Sequence, residues 1–224
     1  MKTVIWIPYR DTHVYRKRAF AMACAQAQTL PFQVLSADSG DEPFSIARTW
    51  NLLSEISGDW DKAVRWGADF LMVDPSSVIA AVETDAPWVY AFDTYRRLTD
   101  LETKRLLRTG KHTPTRDPDP LPPGGVSVIS RELWEGVGGM DPRFVGWGHE
   151  DRVLTHSRDV LFGAPLRVAG EMLNLAHPRR HELPDHAYYA NQRENRRMLK
   201  AFQAITDPTE LALEIAEIRA AHRG

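Results

Sequence analysis

Residues 124–151 read GGVSVISRELWEGVGGMDPRFVGWGHED, and the order of elements in this stretch decides the fold that we predict. Its opening residues, 124–130, form a short apolar run typical of a buried strand. Residues 131–139 favour a short helix that ends at a pair of glycines. Beyond the next turn, the acids of FVGWGHED mark the start of another helix, predicted over 150–162. The stretch therefore predicts a strand followed by two helices, with a glycine-rich turn between the helices.

The segment FVGWGHED also contains side chains suited to sugar chemistry. Trp147 lies between glycines and can present a flat face, on which sugars bind through their C–H edges. Glu150 and Asp151 lie at a helix start, where the helix dipole favours the ionised carboxylate. An ionised carboxylate can accept the proton of an attacking hydroxyl group as a general base. Composition alone leaves an alternative open, in which Trp147 is a core residue and both acids are ordinary helix-start acids.

The first 92 residues alternate between apolar runs and helical segments. The apolar runs are 3–8, 32–38, 62–69 and 88–92, and the helical segments are 13–28, 46–56 and 75–84. This alternation predicts an α/β fold with a mostly parallel sheet and helices on its faces. Ligands of such sheets bind outside the carboxyl ends of the strands. We therefore expect one rim of the sheet to carry Pro8, Tyr9, Arg10, Asp38 and the triplet Gly67-Ala68-Asp69.

Composition and charge exclude several classes of protein. The chain has 224 residues with a formal net charge of −2, so no basic surface is expected to bind nucleic acid. A single cysteine, Cys24, excludes an intrachain disulfide and a cysteine-based zinc site. The apolar run near the N-terminus is too short for a signal peptide, and no stretch is long enough to insert into a membrane. These features predict a cytoplasmic protein.

Residues 124–151 resemble the second half of the catalytic domain of GT-A glycosyltransferases, above all the β-1,4-galactosyltransferase group. That group has a GGVS strand, a short helix, a Gly-Phe or Gly-Met turn and GWGGED at matching spacing. The first half is similar as well: Pro8-Tyr9-Arg10 stands where the group has Pro-Phe-Arg, and Phe44 to Asn51 matches a Phe-centred stretch before a helix. The resemblance covers about residues 3–182.

The resemblance implies a GT-A, Rossmann-like fold with a helical C-terminal extension. Residues 1–184 would form the catalytic domain, in which the Pro- and Asp-rich segment 104–123 is expected to be a mobile loop that governs acceptor choice. Residues 185–224 would form the helical extension packed on that domain.

The resemblance also implies a donor site and a catalytic site. Arg48 is a substitute for an arginine that the family has two residues after the phenylalanine, where this chain has Ile46. The acids at the helix start would act in catalysis, Asp151 as the general base and Glu150 by binding hydroxyls of acceptor or donor. Asp38, at a strand end, is expected to bind the base or ribose. The expected donor-binding residues are Pro8, Tyr9, Arg10, Asp38, Phe44, Arg48, Ala68, Gly124, Gly125 and Trp147.

A metal site is implied with one acid missing. GT-A enzymes usually end a strand in Asp-x-Asp, which holds a divalent cation on the donor diphosphate, whereas this chain has Gly67-Ala68-Asp69. The implied metal ligands are Asp69 and His177. Asn174 replaces a methionine ligand of the family, and its oxygen is compatible with Mn²⁺ or Mg²⁺. The alternatives are the triplet Asp74-Pro75-Ser76, His181 as the ligand, or Arg179 and Arg180 neutralising the diphosphate without a metal.

The function implied is an inverting glycosyltransferase, a hexosyltransferase that uses a nucleotide-diphosphate sugar, most simply a UDP sugar. The acceptor would be a hydroxyl of a glycan, a protein or a small molecule. A catalytically inactive descendant that binds a nucleotide or a glycan is the second hypothesis, because Gly67 removes one acid of the metal motif. A nucleotidyltransferase ranks last, because residues 8–18 lack the glycines of a phosphate-binding loop.

Overall fold

The computed structural model describes residues 1–11, 14–114, 117–146, 148–176 and 191–222. Its strands are β1 Thr3–Pro8, β2 Gln33–Ala37, β3 Lys62–Trp66, β4 Phe70–Met72, β5 Trp88–Tyr90, β6 Thr94–Arg97, β7 Val126–Ser130, β8 Leu166–Arg167 and β9 Glu171–Asn174. Its helices are α1 Val14–Ala27, α2 Ile46–Ile56, α3 Ser76–Glu83, α4 Asp100–Thr109, α5 Arg131–Gly136, α6 Glu150–Leu161, α7 Gln192–Ala204 and α8 Pro208–Ala221. None of the helices in these ranges combines the length and the apolar character needed to cross a bilayer.

The central sheet has six strands in the order β2-β1-β3-β7-β5-β8. Strand β7 runs antiparallel to its neighbours β3 and β5, and the other pairs are parallel. The predicted α/β fold with a mostly parallel sheet is therefore confirmed. Strand β1 is buried along its whole length, as expected for an inner strand covered on both faces. Trp6 of β1 packs edge-on against Trp60 and Trp134, with ring centroids 4.8 Å and 5.3 Å away.

The reversed direction of β7 matters for the position of the site. The carboxyl ends of β1, β2 and β3 lie at one edge of the sheet, and β7 begins at that same edge because it runs the other way. Gly124 and Gly125, which precede β7, are thereby brought next to the residues that follow β1 and β3. This edge is the rim that the sequence predicted.

Strand β3 is shorter than predicted. It ends at Trp66, and a turn follows in which the Phe70 amide donates to the Gly67 carbonyl at 3.0 Å. The chain then enters β4, which belongs to a second sheet of order β4-β9-β6 that the sequence analysis did not predict. Gly67-Ala68-Asp69 therefore lies in the turn between two sheets, whereas the sequence analysis placed it in the last residues of the strand.

The segment 104–123 is helical at its beginning, so its prediction as a loop was wrong for those residues. Helix α4 continues to Thr109 and ends at Gly110, which adopts a left-handed φ of 67°. Its start carries a capping box, in which Thr99 and Glu102 bond each other's backbone amides. Charged residues interrupt the apolar pattern of this helix and make it hard to recognise in the sequence. The capping box was therefore the better sequence signal for the helix.

Helix α3 begins at Ser76, one residue after the predicted first helical position. Asp74 still serves the helix start, because its Oδ1 accepts from the Ser76 amide at 2.9 Å.

The C-terminal helices α7 and α8 pack against α6. The Asn195 amide of α7 donates to the Val145 carbonyl at 3.1 Å, and Arg219 of α8 donates to the Glu135 carbonyl at 2.8 Å. The predicted boundary between residues 184 and 185 lies outside the described residues.

Candidate active site

A cavity of ≈ 250 Å³ opens at the rim formed by β1, β3 and the start of β7. Segments far apart in the sequence meet there. The predicted residues that line it are Pro8, Tyr9, Arg10, Phe44, Ala68, Asp69, Gly125, Glu150 and Asp151. Gly67 of the predicted rim triplet also lines it, and the lining residues that were not predicted are Arg16, Ala19, Ile46, Trp50, Arg65 and Phe70. Most of the predicted donor-binding and catalytic residues in the described ranges thus share one cavity.

Asp151 is held by an arginine that the sequence analysis did not identify. Nη2 of Arg65 lies 3.0 Å from Asp151 Oδ1. Arg65 is only 4% exposed, and its guanidinium lies 4.7 Å from the ring centroid of Trp50 and 5.5 Å from that of Trp88. A guanidinium fixed between two indoles has little freedom, so it holds the carboxylate in one orientation. The signal in the sequence was an arginine inside an apolar strand, KAVRW, since a buried arginine usually has a partner.

Gly124 lies against the second oxygen of the same carboxylate. A Cβ atom built on Gly124 would be 2.7 Å from Asp151 Oδ2. Gly125 has a φ of +125°, and a Cβ there would be 2.7 Å from the sulfur of Met172. The glycine pair therefore makes room for Asp151 and Met172 in the structure, while its predicted role of admitting the donor sugar remains a prediction.

Glu150 and Asp151 have different environments although they are neighbours in the sequence. Burial raises the pKa of Glu150 to about 8, and the nearby Asp151 carboxylate adds to the rise. Glu150 Oε2 is buried and has no hydrogen-bond partner within the described residues. The raised pKa favours the protonated form of Glu150, which can donate a hydrogen bond, whereas Asp151 is paired with a cation. Two neighbouring carboxyl groups with divergent environments are a common arrangement for acid and base roles.

Arg10 lies at the mouth of the cavity in a fixed position. Its Nε and Nη2 atoms donate to the two oxygens of Asp38 at 2.7 Å and 2.8 Å, and its guanidinium lies 4.9 Å from the Phe44 ring centroid. The hydrogen bond from Arg10 lowers the pKa of Asp38. Asp38 itself does not line the cavity but orients Arg10. The Tyr9 ring stacks on Phe20 with 3.9 Å between ring centroids. This contact fixes the position of Tyr9 in the wall of the cavity.

Arg48 is not brought into this cavity. Its Nε donates to the Pro142 carbonyl at 3.0 Å, and its Nη1 pairs with Asp41 at 2.7 Å. It lines a separate cavity of ≈ 580 Å³ between α2, α5 and the end of α8. Residues two apart on a helix point in nearly opposite directions, so Ile46 faces the first cavity and Arg48 faces away.

Asp69 lines the cavity beside Asn174 of β9. The Asn174 amide donates to Asp69 Oδ2 at 3.1 Å, and the Tyr95 hydroxyl lies 3.3 Å from Asn174 Oδ1. Within the described ranges, no three His, Cys, Asp or Glu residues form a group that could hold a metal ion. The alternative triplet is not part of the cavity, because Asp74 is exposed and its carboxylate bonds to Ser76.

Two predicted residues, Trp147 and His177, lie outside the described residues, as do Arg179, Arg180 and His181. Their roles stay predictions.

Comparison with known proteins gives one family match and several similar folds. Residues 111–156 match the model of a family described as the N-terminal domain of galactosyltransferase. No curated protein matches the chain in sequence. Drosophila β-1,4-galactosyltransferase 7, solved with manganese, UDP-Gal and xylobiose, superposes with a TM-score of 0.57. The match covers 87% of this chain and 79% of that one, at 16% sequence identity.

The fold is that of the GT-A glycosyltransferases. Glucosyl-3-phosphoglycerate synthase from Mycobacterium tuberculosis has a TM-score of 0.53 at 17% identity, over 92% of this chain and 82% of that chain. GalNAc-T7, solved with UDP, GalNAc and Mn²⁺, has a TM-score of 0.51 at 13% identity, over 99% of this chain and 58% of that chain. The resemblance predicted from the sequence is confirmed, and the comparisons support a glycosyltransferase.

Proposed function

We propose that the chain is an inverting glycosyltransferase that moves a hexose from a UDP sugar to an acceptor hydroxyl. One observation carries the proposal: the cavity at the carboxyl ends of β1 and β3 brings Asp151 together with Arg10, Phe44 and Asp69. The fold is shared with glycosyltransferases that were solved with UDP or a UDP sugar and manganese.

The donor is proposed to enter between Tyr9, Arg10 and Phe44. Phe44 and Arg10 both line the cavity, with the Arg10 guanidinium over the Phe44 ring, and they are proposed to contact the base and the phosphates. Arg16, which also lines the cavity, adds a second cation. Arg10 is already held by Asp38 before a substrate binds. Little reorganisation of this side chain is therefore needed when charge develops on the leaving group.

The chemistry is a single displacement at the anomeric carbon. The acceptor hydroxyl oxygen forms a bond to that carbon from the face opposite the diphosphate, and the bond from the carbon to the diphosphate oxygen breaks with its electron pair leaving on UDP. The hydroxyl proton passes to the Asp151 carboxylate. Arg65 holds Asp151 through Oδ1, so Oδ2 serves as the base. Glu150, neutral at pH 7, donates a hydrogen bond to a donor or acceptor hydroxyl.

The metal motif offers a divalent ion one carboxylate in the cavity, because Gly67 stands in place of its first acid. Asp69 supplies one carboxylate in the cavity and Asn174 lies against it, which is the hard oxygen chemistry that Mn²⁺ and Mg²⁺ prefer. Mg²⁺ in particular is commonly held by one or two carboxylates together with substrate phosphates. When bound, such an ion would supply positive charge to the leaving diphosphate. We propose Asp69 and His177 as its protein ligands.

Thermal stability in the presence of nucleotide sugars tests the proposal. Each sugar is added with Mn²⁺ or with EDTA. A donor at about 100 times its dissociation constant raises the free energy of unfolding by roughly 2.7 kcal/mol, which is visible as a higher melting temperature. A shift with one UDP sugar, followed by release of UDP when an acceptor is added, supports the transferase. If none of the nucleotide sugars raises the melting temperature, the proposal is contradicted.

The second candidate is a binding protein without turnover, and Gly67 is the observation in its favour. A Cβ at this position would lie 2.5 Å from the Phe70 ring, so an acid cannot be accommodated without moving Phe70. The Phe70 ring therefore occupies the space that the side chain of a first metal-binding acid would need. A donor-dependent melting shift without UDP release for any acceptor would favour this candidate.

A further inference from the structure

A second cavity, of ≈ 440 Å³, is lined by neighbours in the chain of residues at the cavity proposed to bind the donor, here called the donor cavity. Pro123 and Arg152 line this second cavity, whereas Gly125 and Asp151 line the donor cavity. Gly124, whose Cβ position would be 2.7 Å from Asp151 Oδ2, lies between Pro123 and Gly125. Residues adjacent in the chain to Gly124 and Asp151 thus line the second cavity, although Gly124 and Asp151 themselves do not.

The second cavity has an excess of positive charge. Arg152, Arg158 and Arg167 line it, and Asp159 is the one acid among its lining residues within the described ranges. Arg158 already pairs with Asp159 at 2.5 Å, so these two charges offset each other. Arg152 and Arg167 form no ion pair with any residue in the described part of the chain. Two cationic side chains are thus left facing the cavity without a carboxylate.

Arg167 is the more strongly positioned of the two. Its guanidinium lies 4.1 Å from the Tyr90 ring centroid and 5.1 Å from that of Phe92, and Nη1 donates to the Phe92 carbonyl at 3.2 Å. Burial lowers the pKa of Arg167 and the nearby Arg158 adds to this effect, while Tyr90 and Asp93 partly oppose it. A half-buried cation that forms no ion pair costs free energy, and an anion in the cavity would recover it. The Tyr90 hydroxyl donates to the Pro123 carbonyl at 2.6 Å. This hydrogen bond joins two residues that line the cavity.

The face of α6 that borders the cavity carries a cation, an imidazole and an acid, and the acid is the partner of Arg158. Arg152, His156 and Asp159 are four and three residues apart, so they lie on one side of the helix. His156 Nε2 is 2.9 Å from the Ile205 carbonyl, which fixes the imidazole ring. A helix that presents the base at its second residue and a free arginine at its third can bind an anionic group next to the reacting hydroxyl.

We propose that this second cavity is the acceptor subsite and that the acceptor carries an anionic group, a carboxylate or a phosphate, which Arg152 and Arg167 bind. The proposal rests on the proposed transferase function. It names the substrate class that the same site would select. An anionic group bound there would leave a neighbouring hydroxyl of the acceptor close to Asp151.

Matched acceptor pairs test the proposal in a UDP-release assay with the donor that gives the melting shift. The pairs are methyl glucoside with methyl glucuronide, and glycerol with glycerol 3-phosphate, which separate carboxylate from phosphate. The charged member of at least one pair is expected to have a KM about tenfold lower, the range for a charge-assisted hydrogen bond. Arg152→Gln and Arg167→Gln should each remove most of this advantage, and Arg105→Gln, an exposed arginine on α4, should retain it. Equal KM values within both pairs, or an advantage that survives both cavity variants, would overturn the proposal.

A binding measurement separates this proposal from the transferase function. The melting temperature is measured with sodium phosphate and with sodium chloride at the same ionic strength, without a nucleotide. Stabilisation by phosphate that is lost in Arg152→Gln supports the subsite even if no donor binds. Arg152 is exposed, so this variant is expected to fold even if Arg167→Gln does not. Donor binding and UDP release without any phosphate effect or charged-acceptor preference would keep the transferase and reject the anionic subsite.

Discussion

Arg65 and Asp151 form an ion pair across 86 positions of sequence, with Arg65 Nη2 3.0 Å from Asp151 Oδ1. The pair joins strand β3 to the start of α6, so it connects the central sheet to the element that carries the proposed base. Arg65 occupies Oδ1, while Oδ2 faces the backbone of Gly124. Under the proposed mechanism the two oxygens have separate tasks, Oδ1 for orientation and Oδ2 for proton transfer.

Asp151→Asn should abolish transfer while leaving donor binding intact. General-base catalysis contributes about 10²–10⁴-fold, so kcat should fall by at least about 100-fold. The amide oxygen of asparagine can still accept from Arg65, which keeps the local structure. UDP release measures turnover, and the donor-dependent melting shift measures binding. Asp59→Asn, at an exposed acid with a side chain 94% accessible, is the control. An Asp151→Asn enzyme with full activity would exclude Asp151 as the base.

Arg65→Met should lower kcat more than it changes KM for the donor. Methionine fills much of the space between Trp50 and Trp88 but cannot hold Asp151. We expect kcat to fall about tenfold or more, because misplacement of a reacting group by an ångström can cost 10²-fold. Arg65→Lys keeps the charge and should recover part of kcat. If the methionine variant changed only the melting temperature, Arg65 would have a structural role alone.

Gly124→Ala should displace the proposed base. The added Cβ would be 2.7 Å from Asp151 Oδ2, so the carboxylate must rotate away or the loop must move. Activity is expected to fall with little change in donor binding. Gly163→Ala is a suitable comparison, because a Cβ there meets nothing within 4 Å although its φ of 83° strains an alanine. The comparison variant should lose stability and keep kcat, and equal kcat values for both variants would contradict the contact.

Glu150→Gln should change how stability depends on pH. The folded protein holds the Glu150 proton up to its pKa of about 8, whereas the unfolded chain releases it near 4.5. The folded state therefore binds more protons between these values, and this contribution to stability is lost as the pH rises from about 4.5 to 8. The loss is at most about 1.4 kcal/mol per pH unit.

Melting temperatures of Glu150→Gln and the wild type, measured from pH 5 to 8, test this. The difference should move steadily in favour of the variant as the pH rises. Glu132→Gln, at an exposed acid in the first turn of α5, should show no such trend. A constant difference for Glu150→Gln would mean that Glu150 is ionised throughout this range.

Asp69→Asn should weaken any effect of Mn²⁺ on donor binding. Asp69 lines the donor cavity, and its carboxylate is the group proposed to bind the ion. The Mn²⁺ concentration that gives half of the donor-dependent melting shift should rise about tenfold or more. Asp74→Asn is the matched control, because Asp74 bonds to Ser76 away from the cavity. An equal effect of both substitutions, or a shift that persists in EDTA for the wild type, would contradict Asp69 as a ligand.

The sequence by itself determined the elements that depend on local patterns. The apolar runs gave β1 and β2, and Ser45 caps α2 by accepting from the Arg48 amide, as its position predicts. Because parallel strands end at one edge, the rim residues Pro8 to Arg10 were predictable without any tertiary information. The position of Asp151 at the start of α6 followed from the acids after the glycine-rich turn.

The tertiary structure alone decided which distant side chains meet. No local sequence pattern indicates that Arg65 pairs with Asp151 or that Gly124 leaves space for Asp151 Oδ2. The same holds for Arg48, which points away from the donor cavity. The second sheet was also missed, because β4 and β6 are short and depend on β9, which lies about 75 to 105 positions later. Hydrophobic periodicity records how one segment is buried, whereas such contacts depend on the packing of segments far apart in the chain.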